Sequence, residues 1–260
     1  MLTSNPFGQV SAFLPVFFMK TYVVIMIALV VAGTIFDMFH KGSAKYFFRT
    51  WKKEKDKGTR PVNAGKMVSI ILHTGFEALV SGELCSVRRR VAHLLTMYGF
   101  FAYLSSTVLM IFCYSTSAQT APDFLPLIWY GGGLSVCIGG YWFWFFIRVD
   151  VVAEGNSPFR FVRADLFVVL LIISVTLGLV WGYLSRVDEI WTRVLFVLYL
   201  LANALLFGSV AWSKFSHMFY KPAAAFQRRI AEADGSRSNL PENADRPEVF
   251  GSTRQLPRQY

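Results

Sequence analysis

The chain has 260 residues, is 54% hydrophobic and carries a net charge of +10, with a mean hydropathy of +0.44. Apolar content on this scale, gathered into long runs, excludes a large soluble core and marks a membrane protein. The positive charge does not point to nucleic acid, because no separate basic domain exists to carry it. Three cysteines, Cys85, Cys113 and Cys137, form no CxxC pair. They are too few for a protein-held iron–sulfur cluster, which needs about four thiolates, and they support no disulfide scaffold.

Residues 1–14 are short and uncharged and are expected on the outer face. Five apolar runs follow, at about 15–39, 92–114, 125–147, 164–184 and 191–215. Each has roughly 20 residues or more, enough at about 1.5 Å per residue to cross a ~30 Å hydrocarbon layer. The first run has no clear cleavage site and its charges follow it, so it reads as a retained helix. Residues 45–66 are basic and read as irregular. The stretch from Met67 to Val80 is too short to span and reads as a helix lying on the inner surface. The third run carries Gly131, Ser135 and Gly139 on one stripe. Small residues so placed allow close helix packing or leave room for a flat cofactor. An aromatic run, Tyr141 to Phe146, sits where interfacial aromatics belong. From Ala231 the tail is polar and cannot bury a core. The expected architecture is an all-α membrane protein of five transmembrane helices plus one interfacial helix. Its membrane domain is expected at 1–222 and a polar cytoplasmic tail at 223–260.

Charge sets the orientation. Of the 26 Lys and Arg residues, twelve lie between His40 and Ala92, three between Arg148 and Arg163, and eight from Lys214 onward. With five alternating helices these 23 share one side. The positive-inside rule makes that side cytoplasmic, with the N-terminus outside and the C-terminus inside.

His93 and His217 stand out among only four histidines. An ionisable side chain at membrane depth is costly and marks function by default. His93 opens the second run and His217 closes the fifth, so both are expected at the inner side. Two imidazoles at matching depth on different helices can ligate a b-type haem iron from both axial sides. The bland alternative is a pair of interfacial side chains bonded to neighbouring carbonyls. His40 and His73 lie at or outside the inner interface, where surface or capping roles compete with contact to a quinone headgroup. Histidine titrates near neutral pH, as proton-coupled quinone chemistry requires. Asp37 lies one turn from His40 and joins this weaker set.

The stretches RVAHLLTMYGFFAYLSSTVLM (90–110) and WSKFSHMFYKPAAAF (212–226) resemble the membrane cytochrome b subunits related to the respiratory nitrate reductase gamma subunit. They are still more similar to the membrane subunits of sulfur-metabolism complexes. These include the quinone-interacting membrane oxidoreductase, the Dsr-type complex and, most of all, the adenylylsulfate reductase membrane anchor. His73, Phe76 and Cys85 also resemble the amphipathic stretch before the second helix of that group. The resemblance covers roughly 65–226, and the SKxxHxxxxP pattern around His217 is its most specific part.

The resemblance implies a five-helix bundle in a bacterial cytoplasmic membrane, with haem b held by His93 and His217 between the second and fifth helices. It implies cytoplasmic flavoprotein or iron–sulfur partners, and membrane quinone as substrate. A second haem pair in the nitrate reductase type falls at about Tyr103 and Tyr199 here, which argues for one haem. The expected function is a membrane anchor and electron-transfer subunit between a soluble redox enzyme and the quinone pool. Such a subunit is a quinone-linked oxidoreductase only within its complex. The competing reading is a haem-free structural anchor for a soluble redox enzyme. A small-solute transporter has less support, since there is no inverted repeat and no acidic residue deep in a helix.

Overall fold

The computed structural model describes residues 3–236 except 41, 83, 85, 149, 150, 152, 186–188, 214 and 216. The side chains of Ser43, Glu54, Ala164, Glu189 and His217 are also outside that description. Every regular element among the described residues is helical. Among the described residues nine α-helices occur in order: α1 Pro6–Val10, α2 Val16–His40, α3 Ser43–Lys57, α4 Ala64–Val80, α5 Val87–Cys113, α6 Phe124–Trp142, α7 Leu166–Leu184, α8 Glu189–Gly208 and α9 His217–Ala233. The third span continues through one π-helical turn, Phe143–Ile147, and the last through a 3₁₀ turn, Ser209–Trp212. Five helical spans are long and apolar enough to cross a membrane: Val16–His40, Val87–Cys113, Phe124–Ile147, Leu166–Leu184 and Ile190–Trp212. The protein is an all-α, multi-pass membrane protein, as its composition predicts.

The chain divides into two compact units, 1–37 with 88–216, and 38–87 with 217–260. This differs from a division at 222. Helix α9 runs without a break across that position, with Pro222 in its second turn.

In the first unit, glycines on three helices let the backbones approach. A Cβ on Gly132 would meet the Tyr103 nitrogen at 2.7 Å and the Gly99 carbonyl oxygen at 2.8 Å. A Cβ on Gly139 would meet the Ala92 carbonyl oxygen at 2.7 Å, and one on Gly182 the Trp129 ring at 2.8 Å. Without a hydrophobic force between helices in lipid, such close contact is what holds spans together. The packed stripe of α6 runs through Gly132, Ser135, Val136 and Gly139, so of the predicted Gly131, Ser135 and Gly139 only Gly131 lies off it. Gly131 itself faces open space. Helix α2 is the least covered span. It buries Met19, Met26 and Asp37 and leaves Val24, Ile27, Val31 and Ile35 exposed, as on a lipid-facing surface. It is fixed by the Tyr22 hydroxyl, which donates to the Leu200 carbonyl at 2.6 Å.

Helix α1 does not lie flat on the surface. Asn5 caps it by accepting from the Phe7 nitrogen at 2.9 Å, Pro6 occupies the first turn, and Asn5 also donates to the Tyr114 carbonyl at 2.7 Å. Phe7 and Val10 are thereby buried in the bundle. At the other end, Arg148 is buried and paired with Asp165 at 2.7 Å. It donates to the Arg160 carbonyl at 2.6 Å and stacks 4.3 Å over Trp144, tying down the link between α6 and α7.

In the second unit, residues 43–57 are helical, where the basic sequence suggested irregular chain. Their aromatic residues explain it: Trp51 stacks on Phe226 of α9 at 5.7 Å and 21°. Helix α4 is capped by Asn63, which accepts from the Lys66 nitrogen at 3.1 Å. It turns its polar side to α9. Arg229 donates to Thr74 at 2.7 Å and pairs with Glu77, while Val68, Ile71, Leu72, Phe76 and Leu79 face outward. That arrangement suits a helix resting on a membrane surface.

The two neighbouring glycines of α6 make a controlled comparison. Gly132→Ala should lower stability by about 1–3 kcal/mol, since its methyl group has only backbone to displace. Gly131→Ala should be neutral or stabilising by up to about 1 kcal/mol through helix propensity. Thermal unfolding of detergent-solubilised protein measures both.

Candidate functional site

His93 sits on α5 in the first unit. The packed face of α5 runs through Ala92, Gly99, Tyr103, Ser106 and Thr107, all buried. His93 is one residue, and so about 100° of helical rotation, away from Ala92, and its side chain is exposed. Its imidazole is thus offered outside the tightly packed interior of this unit, with Leu94 and Met97 half-buried beside it.

His217 is expected to close the fifth span. It instead begins α9 in the second unit. The span ends at Trp212, and Ser213 then turns to extended backbone with φ −90° and ψ 178°. The buried Ser213 hydroxyl donates to the Val210 carbonyl at 3.2 Å and accepts from the Phe215 nitrogen at 3.3 Å, which stabilises the break. Where the His217 side chain points lies outside the described residues. Asp37 is buried, 1% exposed, near the end of α2 in the first unit. His40 ends α2 and His73 lies on α4, both in the second unit and both exposed. Cys85 lies outside the described residues.

Three turns along α5 from His93 the interior is filled. Tyr103 donates its hydroxyl to that of Tyr199 on α8 at 3.0 Å. Tyr103 stacks on Trp129 at 5.0 Å and 24°, and Tyr199 on Trp181 at 5.8 Å and 9°. Both tryptophans are 0% exposed. A Cβ at Gly178 would fall 2.2 Å from the Tyr103 hydroxyl, so the ring occupies space that only glycine leaves open. The Trp129 indole donates to Thr107 at 2.9 Å, and Thr107 donates to the Tyr103 carbonyl at 2.7 Å. Satisfying these polar groups inside the bundle is what makes their burial tolerable.

A bis-histidine haem can be tested against these two levels. At Tyr103 and Tyr199 it does not fit: the volume is occupied by four rings, and two hydroxyls stand where nitrogen ligands would be needed. At His93 the residue chemistry fits. A neutral imidazole is a good axial ligand, and this one lies off the buried face of α5. Arg89 and Arg90, half-buried one turn before it, bring positive charge suited to propionates. No group of three or more metal-ligating side chains occurs among the described residues; a haem iron draws on two.

Sequence reasoning put His93 at the opening of the second span and named Tyr103 and Tyr199, but it put His217 at the close of the fifth span and did not show that the two tyrosines touch. It missed the Arg148–Asp165 pair. A lone arginine closing an apolar run, with an aspartate opening the next, is the signal that points to it. Comparisons with protein families, with curated proteins and with solved structures found no match to this chain.

Removing either tyrosine hydroxyl should leave the other short of a partner. Tyr103→Phe and Tyr199→Phe should each cost about 0.5–1.5 kcal/mol. The double variant should be less destabilised than the sum, because the two share one bond. A double-mutant cycle on thermal stability reads the coupling.

Proposed function

We propose that this protein is the membrane anchor and electron-transfer subunit of a quinone-linked complex. In this reading one haem b is held by His93 and His217, and a cytoplasmic flavin or iron–sulfur enzyme docks on the basic side. The observation that carries the reading is the direct contact of Tyr103 with Tyr199. It aligns α5 with α8, the helices on which the resemblance locates haem ligation, and it fills the level at which a second haem would otherwise lie. His93 is then the haem-competent position left on α5.

A haem bound there would pass single electrons, while the chain would set its ligands, burial and potential. Neutral imidazoles would complete the iron's axial coordination, and Arg89 and Arg90 would balance propionate charge. Buried Asp37, with His40 and His73, is the weaker set proposed to meet a quinone headgroup. The basic segments 41–66 and 148–163 and the tail would speed encounter with an acidic partner and make docking salt-sensitive. The sulfur-complex resemblance makes adenylylsulfate reductase the favoured partner. In a bacterial cytoplasmic membrane the N-terminus would be outside and the C-terminus cytoplasmic.

The purified protein should show a reduced-minus-oxidised b-haem spectrum. His93→Ala and His217→Ala should each abolish the native low-spin signal, whereas His73→Ala should preserve it. A protein that carries no haem, or whose spectrum ignores both substitutions, leaves the haem-free anchor as the reading. Reporter fusions within 45–66 should be active only on the cytoplasmic side.

A further inference from the structure

We propose that the α1-capped half of the first unit is an insulating plug, so that quinone chemistry in this complex moves neither electrons nor protons across the membrane. The inference rests on the electron-transfer reading above. The plug is built from rings in contact. Phe7 packs on Trp181 at 5.2 Å and Trp129 at 5.8 Å, Phe196 packs on Trp181 at 4.9 Å, and the tyrosine pair closes the set. All six side chains are at most 4% exposed. Helix α1 seats Phe7 from the end of the bundle opposite Arg89 and Arg148.

Distance separates His93 from that end. Cys113 lies twenty residues beyond His93 on α5, about 30 Å at 1.5 Å per residue. The described interior along this path is mainly aromatic and aliphatic, with Ser106 and Thr107 buried in it. Among the described residues its hydrogen bonds are local: the Tyr103 hydroxyl donates to that of Tyr199 at 3.0 Å. Thr107 gives its proton to the Tyr103 carbonyl and Ser106 to the Ala102 carbonyl, both at 2.7 Å. The Trp129 indole can only donate. An unpaired charge in such a packed, apolar region would be strongly disfavoured.

Both half-reactions therefore belong to the basic side. In that reading a quinone would gain two electrons, supplied one at a time by a haem held at His93 and His217, and two protons from that aqueous side, becoming quinol. The soluble flavin or iron–sulfur partner loses the same two electrons. In the reverse direction, quinol releases two protons to that side while the partner is reduced. Neither direction leaves net charge across the bilayer.

The test uses the haem-loaded, full-length protein in vesicles, inserted with its basic end outward. A membrane-soluble quinol is the donor, ferricyanide is the impermeant one-electron acceptor, and a voltage-sensitive dye reports potential. Ferricyanide outside should be reduced with no dye response, and ferricyanide trapped inside should react no faster than in protein-free vesicles. Reduction of the trapped acceptor, or a dye response, overturns the plug. A haem that quinol fails to reduce, with both acceptors idle, overturns the inference by removing the reading beneath it. A second measurement probes the plug without turnover. Ser106 is 0% exposed, so Ser106→Cys is a near-isosteric probe, made with Cys85, Cys113 and Cys137 changed to Ser. It should resist an impermeant maleimide applied from either side; rapid labelling would show a wet path and overturn the plug.

Discussion

The first unit depends on one complementarity: large rings on some helices fill the space left by missing side chains on others. Trp129 occupies the recess at Gly182, and Tyr103 and Tyr199 occupy the recess at Gly178. In lipid, an apolar helix gains nothing from leaving solvent, so dispersion and close approach must supply the specificity. The same packing favours partners for buried polar groups within the bundle, and the Tyr103–Tyr199 and Trp129–Thr107 bonds are two such pairings. The face of α5 devoted to this core is thereby decided, and His93 is left off it.

The five spans were legible because hydropathy alone marks them, with ends within a few residues of those observed. Shorter elements were not. Helix α3 reads as a basic coil in sequence because its Lys residues are solvated, while its stability comes from tertiary contact such as Trp51 on Phe226. Helix α1 has only five residues, too few for any periodicity, and Phe7 reveals its role only when Trp129 and Trp181 meet it. The glycine stripe was seen but with Gly131 in place of Gly132, because a 19-residue helix with seven small residues offers several equivalent stripes. Only the facing residues choose between them.

The site was legible by chemistry more than by geometry. Rare ionisable residues at membrane depth picked out His93, and two tyrosines in haem-like positions picked out Tyr103 and Tyr199. The contact between those tyrosines joins positions 96 residues apart in sequence, which no local pattern encodes. The break before His217 was hidden for a different reason. Ser213 caps its own backbone, and a serine inside an apolar run carries no strong stop signal.

That break changes what governs residue 217. As the last turn of a span, its position would follow from α8 and the aromatic core. As the first residue of α9, it belongs to a helix whose later turns are tied to α4 through Arg229 and to α3 through Phe226. In the proposed reading the two haem ligands would then be controlled by different packing systems. His93 would be set by the glycine–aromatic packing of the first unit, and residue 217 by the helix packing of the second.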